Sequence, residues 1–179
     1  MPLSSRSSTC WQAMPTDSAR ASTGLPTAGS TLFNVPETAS PEVFARFKQG
    51  WECWNDGALD LMGDMYAEDA ELDMSAVFTG MPKFSGRESM RRQWDELWET
   101  WEGLRMDPLE VFDVGGGRFV VETRLSGRGK RSGVDVDQRY VFLYTVREAD
   151  TKIIRCQLFP SVDAAIESAR ASQAAIRGS

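Results

Sequence analysis

From residue 41 onward the apolar positions fall into a helical rhythm. Val43, Phe44, Phe47, Trp51 and Trp54 recur at three- and four-residue steps, which places them on one stripe of a helix facing a core. Ser40 and Pro41 open that helix, Ser as N-cap and Pro in the first turn. Asn55-Asp56-Gly57 closes it, because Gly57 accepts the left-handed conformation that a helix end favours. A second, short helix then turns Leu59, Met62, Met65 and Tyr66 inward. The stretch "AELDMS" alternates as a short strand, with Leu72 and Met74 on one face and Glu71 and Asp73 on the other. A third helix over 87–102 carries Met90, Trp94, Leu97, Trp98 and Trp101 on one side. Next come four strand-length runs, "LEVFDV", "RFVVETRLSG", "VDQRYVFLYTV" and "KIIRCQLF", rich in β-branched and aromatic residues and separated by turn residues. A last amphipathic stretch, "VDAAIESARASQAAI", predicts a helix that caps or lids the sheet. Three helices followed by an antiparallel meander make an α+β pattern, in which the sheet buries one face under the helices.

The first 39 residues follow no such rhythm. Ser, Thr, Ala and Pro dominate them, and they read as a disordered leader ahead of one domain at 40–162 and a C-terminal helix or tail at 163–179. The leader holds no basic start followed by an apolar run, so a secretory signal is not expected, while its Ser-rich stretch with Arg6 and Arg20 and only Asp17 and Glu37 as acids keeps an organelle transit peptide as the lesser alternative. Nothing in the chain approaches a membrane span, and a cytoplasmic protein without a membrane partner is expected. The net charge of −6 repels phosphate backbones, which argues against nucleic acid. The three cysteines Cys10, Cys53 and Cys156 are far apart and odd in number, which fits neither a disulfide framework nor a metal cluster. The most restrictive feature is the absence of histidine. It removes the commonest general base, the Ser-His and Cys-His nucleophile pairs and the usual zinc sites. Acid–base chemistry would have to run on carboxylates, Tyr, Lys or Cys, and no metal or other cofactor is expected.

The order of "FKQGWECWNDGALDLMGDMYAEDAELDM", "FSGRESMRRQWDELWETW" and "DQRYVFLYTVREADTKIIRCQLF" resembles the SnoaL-like branch of the nuclear transport factor 2-like superfamily, over residues 41 to 162. The resemblance implies a cone-shaped α+β barrel: a curved antiparallel sheet around a pocket, three N-terminal helices closing its mouth, and a homodimer through the outer sheet face. It does not fix a function, since the fold hosts isomerases, polyketide cyclases, dehydratases or other lyases, epoxide hydrolases and plain binding modules. Laid on the ketosteroid isomerase relatives, the base position falls on Met74, the oxyanion-hole tyrosine on Gly50 and the second acid on Gln138, none of which can do that work.

Limonene epoxide hydrolase relatives use an Asp-Arg-Asp set. Matched to that pattern, "VVETRLSG" turns Glu122 and Arg124 into the pocket, where a charge-assisted pair would keep Glu122 ionised and let Arg124 polarise a substrate oxygen. The third acid falls on Leu158, which leaves the set incomplete. The plain alternative is a Glu-x-Arg pair on a solvated strand face, and a register slip of one residue would reverse every inward assignment. Tyr140 and Gln138 are candidates to orient a ligand oxygen, with Asp73 a lesser candidate acid that alternation turns away from the pocket. Trp54, Tyr66, Met74, Trp94, Trp98, Phe142, Cys156 and Leu158 are candidates to wall the cavity, or simply core. Two functions follow as expectations: a cofactor-free acid–base enzyme acting on a small hydrophobic molecule, or a non-catalytic hydrophobic-ligand-binding or dimerisation module.

Overall fold

The computed structural model describes residues 37–39, 41–147 and 149–177. The rest of the expected leader and the expected N-cap Ser40 lie outside the described residues. The last part of the leader is a strand: β1 (Glu37–Thr38) pairs with a later strand through Asp113 and Phe112. The helix α1 (Pro41–Asn55) ends where the sequence predicts, and Gly57 has φ 72°. Asn55 also fastens this end to the sheet. Its amide donates to the Met106 carbonyl at 3.0 Å and its carbonyl accepts the Met106 N–H at 2.8 Å, as a neighbouring strand would.

After α2 (Leu59–Asp64) comes β2 (Tyr66–Asp73), which starts four residues earlier than the alternation predicts. Glu68 and Asp69 sit in an irregular, exposed stretch of that strand, where the register shifts between Tyr66 and Glu71. The short β3 (Phe84–Ser85) leads into α3 (Arg87–Thr100). Trp101 is not on the helix as expected: its backbone is extended, at φ −113° and ψ 145°, and it opens β4 (Trp101–Gly115). β4 is long enough to contain Pro108, which is tolerated because the register shifts between Pro108 and Glu110. The chain finishes with β5 (Arg118–Gly129), β6 (Asp135–Arg147), β7 (Lys152–Phe159) and α4 (Val162–Arg177).

The strands lie in the order β1-β4-β5-β6-β7-β2-β3. All pairs are antiparallel except β2 with β7, which run parallel, so the sheet is mixed rather than purely antiparallel. The architecture is the expected α+β cone. Against its inner face pack Phe47, Trp51 and Trp54 of α1, Met62 of α2, and Met90, Trp94 and Leu97 of α3, all buried. Each large apolar side chain buried in this way contributes roughly 1.5–3 kcal/mol. Rings meet across the layers, Phe47 with Tyr144 at 5.1 Å and Trp51 with Phe142 at 5.5 Å. The outer face is shared. α4 covers Val120, Val141 and Leu143 with Ala165, Ile166 and Ala169, as the predicted cap. No described helix is long and apolar enough to cross a membrane.

Candidate functional site

Where the first half of α1 passes over the ends of β4 to β7, the structure leaves a pocket of about 470 Å³. That volume lies within the roughly 300–1,000 Å³ usual for small-molecule sites. Its walls are apolar: Val43 and Phe47 from α1, Met65, Phe119 from β5, Val146 from β6 and Ile153 from β7. Its rim is polar, with Arg46, Asp113 and Thr151 beside the turn of Gly115, Gly116 and Gly117.

Two turns shape the rim. The three glycines have φ of 81°, 62° and 67°, and a Cβ on Gly117 would stand 2.6 Å from the Val146 carbonyl oxygen, so only glycine fits. Asp113 accepts the Gly115 N–H at 2.8 Å. From the outer side Gln173 of α4 donates to the carbonyls of Val114 at 2.9 Å and Gly115 at 3.1 Å. In the facing turn Thr151 has φ 56°, a conformation rarely adopted by a β-branched residue. The Arg46 guanidinium holds it, with Nη2 donating to the Thr151 carbonyl at 3.0 Å and hydroxyl at 2.9 Å.

A crevice of about 10 Å³ shares Phe47, Met65 and Ile153 with the pocket and also touches Gly50, Trp51, Met62, Tyr66 and Tyr144. Behind it the Tyr66 and Tyr144 hydroxyls and the Cys156 thiol interact with one another. Burial pushes the thiol up to about 12, although hydrogen bonds from the two tyrosines draw it partly back. Burial, with Cys156 beside them, pushes both tyrosines well above their usual range. At neutral pH all three are therefore protonated hydrogen-bonding groups, and Cys156 is not a thiolate nucleophile. The indoles form the neighbouring wall: the Trp54 ring lies 6.0 Å from Trp94 and 6.2 Å from Trp98. The buried Nε1–H groups of Trp54, Trp98 and Trp101 have no hydrogen-bond partner.

The structure divides the residues singled out by sequence. Tyr66 reaches the crevice. Trp54, Met74, Trp94, Phe142, Cys156 and Leu158 are buried, and Trp98 is half-buried, in the packed interior rather than on the walls of the pocket. Tyr140 donates to Gln138 at 2.7 Å and faces Phe78 at 6.1 Å, also away from that pocket. Burial pushes the Tyr140 hydroxyl up to about 12. Asp73 points away from the interior, as alternation requires. Partial burial opposes its charge, but Lys83 at 2.8 Å and hydrogen bonds from Ser75 prevail and hold its carboxyl at about 2.

The expected inward orientation of Glu122 and Arg124 does not hold. Residues directly opposite on paired strands share a face. Val121 faces Phe142, Thr123 faces Tyr140 and Leu125 faces Gln138, so the odd-numbered side chains of β5 occupy the interior and Glu122 and Arg124 the outside. There Glu122 accepts from Arg139 at 3.1 Å and Arg124 donates to Asp137 at 2.7 Å, the solvated-face alternative. Arg46, Asp113 and Thr151 were not singled out by sequence. "FDVGGGRF" was the available signal, because it holds more glycine than a tight hairpin needs. Among the described residues no three His, Cys, Asp or Glu side chains are placed to hold a metal ion.

Solved structures share this architecture. A protein of ketosteroid isomerase-like fold from Catenulispora acidiphila, in complex with trimethylamine, is 16% identical at a TM-score of 0.56, over 69% of this chain and 88% of that one. RV0760c from Mycobacterium tuberculosis, in complex with estradiol-17beta-hemisuccinate, is 18% identical at 0.56, over 70% and 97%. SalBIII, an epoxide hydrolase/cyclase-like enzyme of pyran ring formation in the polyether salinomycin, is 17% identical at 0.55, over 68% and 91%. At these identities the likeness is one of fold. No curated protein matches the chain. Residues 47–156, more than half of the chain, match the SnoaL-like domain, and the chain belongs to that family.

Proposed function

We propose that this chain binds a small, mostly hydrophobic molecule in the pocket between α1 and the Gly115–Gly117 and Thr151 turns. The observation that carries the reading is the wall itself, with six apolar side chains from five parts of the fold converging on about 470 Å³. The groups behind the crevice add hydrogen-bond donors held neutral by burial. They suit an acceptor oxygen on the bound molecule better than they suit proton abstraction. A binding module is therefore favoured over the acid–base enzyme.

An enzymatic version of the proposal has one observation behind it: a carboxylate, Asp113, and a guanidinium, Arg46, stand on the rim of the same apolar pocket. They would take the roles first expected of Glu122 and Arg124 in an isomerase, cyclase, dehydratase or epoxide-opening reaction. Turnover of an enone or epoxide panel that Asp113→Asn abolishes would favour this version. A homodimer through the outer sheet face is not part of the proposal. α4 takes one region of that face, and Arg124–Asp137, Arg139–Glu122 and Arg128–Asp135 make another region charged, whereas interface cores are poor in charge.

The binding claim is tested by calorimetric titration with 2-naphthaleneethanol, a neutral molecule with a flat apolar body. Saturable binding that Val43→Trp, filling the mouth, weakens by about tenfold or more is the expected result. Equal binding by the filled variant would overturn the location.

A further inference from the structure

Resting on that pocket reading, we propose that the bound molecule carries an acidic head, a carboxylate or its equivalent, and that Arg46 is the group that holds it. The case begins with an imbalance. Nine of the other described arginines, Arg87, Arg91, Arg92, Arg105, Arg124, Arg128, Arg139, Arg147 and Arg155, each lie within 4 Å of a carboxylate oxygen, whereas Arg118, which donates to the Ala169 carbonyl, and Arg131 have none that near among the described residues and line no part of the pocket. Arg46 lines the pocket and has no carboxylate that near among the described residues, although the chain has 26 acidic residues against 20 basic ones. Its two partners are both neutral and both on Thr151.

Those two bonds fix the guanidinium in place. Nη2 is spent on Thr151, and among the described residues neither Nε–H nor Nη1 has a hydrogen-bond partner, so each is placed to donate a charge-assisted bond to an oxygen of an acidic head. The holder is itself under strain, because Thr151 keeps a positive φ of 56° where glycine would rest without cost. A strained residue that orients a cation whose described partners are all neutral, at the mouth of an apolar pocket, is a conformation worth its cost when it serves a ligand. The other charge on the rim, Asp113, is turned in part to its own turn by the Gly115 N–H. It sets the sign of a second effect: it repels an anion, and its removal strengthens the binding.

Three probes with one body and different heads test the charge: 2-naphthylacetate, 2-naphthaleneethanol and 2-(2-naphthyl)ethylammonium, each titrated calorimetrically into the full chain. The carboxylate is expected to bind about tenfold tighter than the alcohol. Arg46→Gln should erase that advantage, so that the carboxylate and the alcohol bind within about twofold of each other, and Asp113→Asn should increase carboxylate affinity. Arg46 also supports the Thr151 turn, so the double variant Arg46→Gln/Thr151→Gly, in which glycine adopts the turn unaided, must behave like the single one. If the alcohol binds as well as the carboxylate, or Arg46→Gln leaves their ratio unchanged, the charge inference falls and the pocket reading stands. If the ammonium binds best, Asp113 is the recognising group and the inference is overturned. Failure of all three probes to bind removes the pocket reading and this inference together.

Discussion

Tyr66, Tyr140 and Tyr144 are all the tyrosines this chain has, and burial raises the pKa of every one. Cys156 joins them, raised from about 9 to about 12. For such groups the folded state keeps a proton that the unfolded chain gives up. Their contribution to stability is therefore complete below about pH 9 and is lost progressively as pH rises through 10 toward 12. Tyrosinate absorbance should stay silent until the chain unfolds, and should then appear in one step with the loss of far-ultraviolet dichroism. A tyrosine that ionises near pH 10 in a chain with native dichroism would contradict the burial. At this scale the sequence was informative about identity and poor about role. Trp54, Tyr66 and Cys156 stand out as buried residues, but whether a buried residue walls a cavity or fills a core depends on gaps of a few ångströms between elements, which no local pattern encodes. Arg46 is the converse case: on α1 it reads as one more exposed charge, and only Thr151, 105 positions away, makes it part of a rim.

The strand β5 shows what decides orientation at the level of the element. Val121, Thr123 and Leu125 alternate with Glu122 and Arg124, and simple burial sends the first set inward, as the pairing with Phe142, Tyr140 and Gln138 requires. Resemblance to a hydrolase pattern inverted that order. Period-two alternation turns Gln138, Tyr140 and Phe142 inward, and in the observed register, with Val121 opposite Phe142, that face excludes Glu122 and Arg124. Glu122→Gln accordingly removes an outer-face partner of exposed Arg139. It should change stability by no more than about 1 kcal/mol and leave naphthaleneethanol affinity unaltered; a large loss of affinity would place Glu122 back in the site. The Gly115–Gly117 turn makes the opposite prediction. Gly117→Ala meets the Val146 carbonyl at a backbone φ of 67°. It should cost about 2 kcal/mol or more in denaturant unfolding, and an unchanged midpoint would mean that the turn is looser than described.

At the scale of the molecule, the helices and most of the sheet were legible because period 3.6 and period 2 are written in neighbouring residues. Less legible were the parallel pairing of β2 with β7 and the length of β4, which depend on segments far apart in sequence. α4 was legible as a helix but not in its second role. Gln173 and the Ala169 carbonyl, which accepts from Arg118 at 3.3 Å, tie it to the ends of β4 and β5 behind the pocket. With the sheet's outer apolar patch covered by α4, light scattering on the full chain is expected to give a monomer. Deleting 161–179 uncovers Val120, Val141 and Leu143 and should drive self-association; a truncated chain that stays monomeric and equally stable would show that α4 covers nothing of consequence.

The claim on which the account turns is the location and apolar character of the pocket. A crystal structure of the full chain with 2-naphthaleneethanol tests it most directly. The account predicts the naphthalene ring between Phe47, Met65, Phe119 and Ile153, with its hydroxyl toward the Arg46 rim. A ring seated anywhere else, with those four side chains closed on one another, would contradict it.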